Sequence, residues 1–155
     1  MDVHLITASD ADLPQLLTWL SAFHADFAIQ QTKAQQRESL LTLIRNPQLG
    51  SIWLIHANEE AVGYIALCTG YSLEFGGLDA FIDEIYIAPD RRGSGIASQV
   101  LQLVKLEAKA MGIRALHLEV NCSDEKVQKL YQKSGFTMRE KYRLMTIELM
   151  DQRNI

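Results

Sequence analysis

The chain has 155 residues, of which 48% are apolar and 22% charged, the size and balance of one soluble domain able to bury a sizeable core. Its formal net charge of −4 excludes a nucleic-acid binder that works through a broad basic surface, so any polyanion site must be local. The opening "MDVHLITASD" has neither a basic n-region nor a long apolar run, so no signal peptide or membrane anchor is expected and a cytoplasmic location is. Cys68 and Cys122 lack a CxxC spacing and are read as structural. The four histidines, at 4, 24, 56 and 117, are scattered without ligand spacing, so no metal is expected.

In chain order, "VHLITAS" reads as a short strand and "SDADLPQLLTWLSAF" as a helix, with Ser9 or Asp10 as N-cap candidate and Leu13, Leu16, Leu17 and Leu20 on one face. A second helical pattern runs from about Gln35 to Ile44 and stops near Asn46-Pro47. "SIWLIHANEEAVGYIALCTGY" reads as a β-hairpin turning at Asn58 to Glu60. Gly76-Gly77 breaks the chain before the strand "AFIDEIYIA", which Pro89 ends because proline cannot donate to a ladder. From Ser94 to Met111 the residues Ile96, Val100, Leu103, Val104 and Ala108 recur at helical spacing, with Gly112 as C′ residue. "RALHLEV" reads as a strand, "SDEKVQKLYQKSGF" as a short helix closing at Gly135, and "YRLMTIEL" as a last strand. The whole, residues 1–155, reads as one mixed α/β domain whose strand-helix-strand middle implies parallel pairing.

The turn "RRGSGIAS" carries the chemistry. A helix N-terminus exposes unpaired N–H groups and the positive end of its dipole, and glycines let a phosphate approach the backbone. Arg91 and Arg92 add positive charge at that point of an acidic chain, so the natural ligand is a phosphate or pyrophosphate. A P-loop is excluded, because Gly95 is followed by Ile96 and Ala97 rather than Lys and Ser or Thr. A G-x-G-x-x-G dinucleotide fingerprint matches poorly, since Ser98 stands where the third glycine belongs.

Arg92-Gly93-Ser94-Gly95-Ile96-Ala97 resembles the R/Q-x-x-G-x-G/A motif of the GCN5-related N-acetyltransferases (GNAT), and "KLYQKSGF" resembles that family's L-Y-x-K-x-G-F ending. The resemblance spans roughly residues 50 to 149. It implies a central, mostly antiparallel sheet with a splayed parallel pair, flanked by helices, and acetyl-coenzyme A as cosubstrate. Backbone amides from Arg92 through Ala97 would then wrap the pyrophosphate, and the backbone of Ile85, Tyr86 and Ile87 would pair with the pantetheine arm. Where family members often carry N-x-x-A before the L-Y pair, this chain has Asp124 and Val127. Asp124 can cap the helix but, as a carboxylate, cannot donate to pantetheine, and Asn121 is the candidate to compensate.

Acyl transfer from a thioester to an amine needs a deprotonated amine and a proton for the departing thiolate. An alkyl ammonium of pKa about 10.4 is almost wholly protonated at pH 7, so a base or a water path is required. At the family's tyrosine position, Tyr131 is the expected acid. Asp83 and Glu84 are the candidate bases; strict alternation puts Glu84 on one face with Ile82 and Tyr86, and Asp83 with Ile85 and Ile87. Glu84 is preferred for its longer arm, while a strand bulge would alter the assignment. His117 and Glu119 share a face of the next strand by the same alternation, and Lys133 reads as a surface lysine.

The expected activity is direct transfer of an acetyl group to a primary amine within a ternary complex. Glu74 and Asp79, with the acidic balance, suit a small cationic acceptor. No nucleic-acid or membrane partner is expected, and a homodimer stays open. Two other readings also stay open: an acetyl-CoA-binding regulatory module without transfer, and a protein lysine or N-terminal acetyltransferase.

Overall fold

The computed structural model describes residues 1–149. These form two compact units, residues 1–120 and residues from Asn121 onward. The first holds strands β1 (Val3–Thr7), β2 (Gly50–Ala57), β3 (Glu60–Ser72), β4 (Gly77–Ile87) and β5 (Ala115–His117), with helices α1 (Leu13–Asp26), α2 (Lys33–Arg45) and α3 (Ile96–Ala110). The second holds α4 (Glu125–Lys133). No helix among the described residues is long and apolar enough to cross a membrane.

The five strands lie in sequence order in one sheet. The first three pairings are antiparallel, and β4 with β5 is parallel, made feasible by the α3 crossover between them. The β2–β3 hairpin turns at Asn58, which takes a left-handed φ of +58°, a conformation asparagine tolerates better than most residues.

Local capping explains the helix starts. Before α1, the Ser9 N–H donates to the Asp12 carboxylate at 2.8 Å and holds a short 3-10 turn, and Pro14 sits in the first turn of the helix, where its missing N–H costs nothing. Thr32 and Gln35 form a reciprocal capping box on α2: Thr32 Oγ1 accepts from the Gln35 N–H, and Gln35 Oε1 accepts from the Thr32 N–H. That box starts the helix at Lys33, two residues before the apolar pattern suggests.

One face of the sheet packs on α1 and α2. Leu16, Trp19 and Leu20 of α1 and Leu40 of α2 meet Ile52, Leu54, Tyr64, Ala66 and Tyr86 of the strands. Each fully buried aliphatic side chain there contributes about 1.5–3 kcal/mol. On the opposite face Ile55, Ile65 and Leu67 are fully buried, and α3, which touches β1, buries Val100, Leu101 and Val104.

Two sequence expectations fail. The strand expected over "RALHLEV" is cut to Ala115–His117. The strand expected over "YRLMTIEL" is absent among the described residues, and its apolar residues Leu144, Met145, Ile147 and Leu149 are exposed. Alternation supplies a strand's faces but not its partner. A strand persists only where another backbone takes its N–H and C=O groups.

Candidate active site

The parallel β4–β5 pairing runs from Asp79↔Ala115 to Phe81↔His117 and stops there. Among the described residues, β4 from Ile82 to Ile87 therefore has a partner only on its β3 side. Which backbone groups face the open edge follows from register. The Ala88 N–H donates to Val62 O at 2.8 Å, and the Tyr86 carbonyl lies against Gly63, so the even positions turn to β3. Ile85 and Ile87 turn the other way. Arg92 Nε donates to Ile87 O at 2.8 Å, which marks that edge. Of the three residues expected to offer backbone to a pantetheine arm, two have the orientation for it and Tyr86 has the opposite one.

The glycine turn follows after a short 3-10 turn over Pro89–Arg91. Gly93 and Gly95 have φ of +78° and +84°, left-handed values that strain any residue with a Cβ. A Cβ at either would meet no heavy atom within 4 Å, so the backbone itself is the exposed surface here. Gly95 is the N-cap of α3, Ile96 is buried as its first residue, and Ala97 follows in its first turn. Ser94 Oγ donates to Arg91 O at 2.7 Å, tightening the loop. The first N–H groups of α3 thus point out of the helix beside the open end of β4. Arg91 pairs with Glu60 at the surface. The Arg92 guanidinium lies 5.5 Å from the Tyr86 ring centre and 3.9 Å from the Asp26 carboxylate.

Asp83 and Glu84 are separated by a break in alternation. Ala66 pairs with Glu84 and Leu67 with Ile82, which leaves Asp83 as the extra residue of a β-bulge. Ala66 and Leu67 face opposite ways, so Glu84 shares a face with Tyr86 but not with Ile82, contrary to strict alternation. Glu84 turns toward α1, where Oε2 meets His24 Nε2 at 2.9 Å and Oε1 accepts from the Tyr64 hydroxyl at 3.2 Å. Burial pushes the Glu84 carboxyl above the usual range; the charge and hydrogen bond of His24 oppose that, the Asp83 charge adds to it, and the Tyr64 hydroxyl lowers it. Desolvation raises Asp83 as well, against the charge of His24. A carboxyl raised in this way is a better proton acceptor at neutral pH than an ordinary one.

The same acids act on their neighbours. Burial, then the nearby Asp83 and Glu84 charges, push the Cys68 thiol up to about 11, which makes it a poor nucleophile and supports its structural reading. Tyr64 is raised too, mainly by burial, and stays a protonated donor to Glu84. Among the described residues, no group of three or more His, Cys, Asp or Glu side chains is placed to hold a metal ion.

His117 does not pair with Glu119, which lies beyond the end of β5. Its Nε2 instead meets Asp79 Oδ2 at 3.1 Å, with the Phe75 and Phe81 rings 5.5 and 5.1 Å from its own. Asp79, one of the two acids read as suiting a cationic acceptor, is a β4 residue that makes this contact.

In the second unit Asp124 caps α4 as its sequence position suggests, its Oδ1 accepting from the Val127 N–H at 3.0 Å. Asn121 Oδ1 accepts from the N–H and hydroxyl of Ser123, at 2.9 and 2.7 Å. Tyr131 is half-buried, edge-on to Phe136 at 6.0 Å. Burial, then the Asp124 charge, raises its hydroxyl, which keeps it protonated but does not make it the stronger acid that donation to a thiolate would favour.

Residues 13–136 match the model of the acetyltransferase (GNAT) family. The chain belongs to the GNAT family. It is 33% identical over 86 residues to the uncharacterized N-acetyltransferase YycN of Bacillus subtilis strain 168, a match covering 55% of this chain and 54% of that protein, so it spans about half the length of that relative. Among solved structures, an integron cassette protein from the mobile metagenome of Cole Harbour Salt Marsh is 32% identical, with a TM-score of 0.82 over 95% of this chain and 91% of that one. An aminoglycoside acetyltransferase from an uncultured soil metagenomic sample, solved in complex with sisomicin, shares the fold at 14% identity, with a TM-score of 0.76 over 96% of this chain and 97% of that one. Acetyl-coenzyme A is the acetyl donor of this family.

Proposed function

We propose that this protein transfers an acetyl group from acetyl-coenzyme A to the primary amine of a small cationic molecule, by direct attack in a ternary complex. One observation carries the reading: the β4 edge from Ile82 to Ile87 opens where β5 stops, and a short 3-10 turn leads from it to the left-handed Gly93 and Gly95 at the start of α3. An extended amide-bearing arm can pair with the Ile85 and Ile87 backbone as an added strand would, once Arg92 gives up Ile87 O. A pyrophosphate at the end of that arm then meets the N–H groups from Gly93 to Ala97, with Arg92 beside it. Asn121 and Asp124 are the further cofactor residues in this reading, Asp124 through its helix-capping role alone.

Glu84 is the group that takes the acceptor's proton, directly or through a water, with Asp83 as the second carboxylate on the same strand. Both sit at raised pKa, and together they favour a cation. Attack by the deprotonated amine on the thioester carbonyl forms the C–N bond and breaks the C–S bond; the departing thiolate takes a proton from Tyr131. At ordinary values of about 10 and 8.5 for a tyrosine and a thiol, that last transfer is uphill by about 2 kcal/mol.

The preference for a small cationic acceptor rests on these carboxylates. The aminoglycoside acetyltransferase that shares the fold is consistent with it, but the fold at that identity does not select an acceptor. The test is thiol release from acetyl-coenzyme A across a panel of aminoglycosides, polyamines and lysine-bearing peptides, with cofactor hydrolysis as the control. Release with a peptide and with no small amine would move the acceptor to proteins. Tight coenzyme A binding with no release for any amine would reduce the protein to a cofactor-binding module.

A further inference from the structure

We infer that His24 of α1 is a positioning residue for Glu84, holding Oε2 from the helix side so that the carboxylate keeps one orientation on β4. This rests on the proposed role of Glu84 as proton acceptor. The two residues lie 60 positions apart, and no feature of either segment announces the pair.

The contact belongs to a chain of polar side chains in an otherwise apolar layer. His24 and Gln36 are only 6% and 4% exposed, among Leu16, Trp19, Leu20 and Leu40. His24 Nε2 meets Glu84 Oε2 at 2.9 Å, while the other ring nitrogen, Nδ1, meets Gln36 Nε2 at 3.3 Å. Gln36 Oε1 lies 2.9 Å from Ser21 Oγ, and Lys33 Nζ donates to that same hydroxyl at the surface. Gln36 therefore fixes the imidazole ring, and the ring fixes the carboxylate. Tyr64 completes the clamp by donating to Oε1 at 3.2 Å.

A structural purpose alone accounts poorly for the arrangement. A buried ion pair is on balance no more stabilising than apolar residues of the same size, because desolvating the two groups offsets their attraction. What it does is place charge. Among the described residues, the groups near Glu84 are His24 from α1, Tyr64 and the Cys68 thiol from β3 and Asp83 beside it in β4, and α2 reaches it through Gln36. Of these, His24 opposes the desolvation and the Asp83 repulsion that disfavour the ionised carboxylate more than the Tyr64 hydroxyl does, which adds only its hydrogen bond. The proton taken from an ammonium arrives on a carboxylate held at both oxygens, Oε2 by His24 and Oε1 by Tyr64, and the remaining lone pair of Oε1, which has the longer contact, receives it.

The experiment uses the full chain as wild type, His24→Gln and His24→Leu, with near-UV circular dichroism as the check of folding. The Glu84 side-chain carboxyl carbon is followed by NMR as pH varies, a measurement that needs no acceptor. In His24→Leu its midpoint moves to higher pH; in His24→Gln, whose amide can donate but carries no charge, it moves less. In parallel, kcat/KM against pH is measured with acetyl-coenzyme A and whichever of sisomicin and spermidine is turned over faster. His24→Leu loses about tenfold or more on the acidic side and recovers toward high pH, with His24→Gln between it and wild type. An unmoved carboxyl midpoint in folded His24→Leu overturns the inference; if that variant does not fold, an unmoved midpoint in His24→Gln does. Transfer absent from all three proteins, with the midpoint shifted, counts against the proposed acetyl transfer and leaves the His24 coupling established.

Discussion

Replacing Gly95 by alanine separates what the glycine turn contributes to folding from what it contributes to binding. Gly95 has φ +84° and no heavy atom within 4 Å of a notional Cβ, so the substitution meets no clash and its folding cost is conformational. For an L-residue held left-handed that cost is about 1–2 kcal/mol. In a chain of this size it lowers the melting temperature by roughly 2–8 °C. Gly112, at the far end of α3, is the matched control: its φ is +79°, and a Cβ there also meets nothing within 4 Å. Fifteen residues of helix, about 22 Å, separate the two positions. Gly95→Ala and Gly112→Ala should therefore lose similar stability by thermal denaturation. Only Gly95→Ala puts a methyl group where the proposed pyrophosphate site has its amides, so calorimetry with coenzyme A should show a loss of about tenfold or more, some 1.4 kcal/mol, for that variant alone. Gly95→Trp should abolish binding in a folded protein. Equal coenzyme A affinity in folded Gly95→Trp and wild type would refute the site, and equal losses in both alanine variants would trace the effect to α3 stability instead.

Three more outcomes can be measured. Tyr131→Phe keeps the ring against Phe136 but deletes the hydroxyl, so coenzyme A affinity should hold while turnover falls by about 10² to 10⁴; a drop of less than about threefold returns Tyr131 to packing. Glu84→Gln should flatten the acidic limb of kcat/KM, a limb that in wild type lies above the ordinary glutamate value of 4.5, and a loss seen only in Asp83→Asn would transfer the role to Asp83. Because the folded-state pKa of Glu84 is raised, its contribution to stability is present below the unfolded value and is lost as pH rises through the folded one; denaturant titrations should show wild type losing stability relative to Glu84→Gln across that window. Gly63→Ala puts a Cβ 2.0 Å from the Tyr86 carbonyl, forcing β3 and β4 apart where they pair, and should cost about 1–3 kcal/mol or more in chemical denaturation.

The sequence by itself was enough for whatever depends on neighbours a few residues away. Leucine spacing in α1, the stop before Pro47, the Asn58 hairpin and Gly112 closing α3 all reflect backbone preferences within one turn or one hairpin, and each is in place. The glycine turn proposed to hold a pyrophosphate is legible for the same reason: the glycines, the helix start and the arginines are contiguous in the chain. Tertiary structure decided the rest. The early end of β5 depends on where parallel pairing with β4 stops, and the solvent-exposed "YRLMTIEL" segment shows that alternation without a partner edge makes no strand. The bulge at Asp83 exists only in the register of β4 against β3, and it removes Glu84 from the face of Ile82. His24 meets Glu84 because α1 packs on the sheet, 60 residues away in sequence, and in the chain it is only a lone histidine on an apolar helix. The carboxylates sit on a strand any reader of the sequence can mark, but their orientation, their partners and their raised pKa come from burial against groups that only the fold brings near.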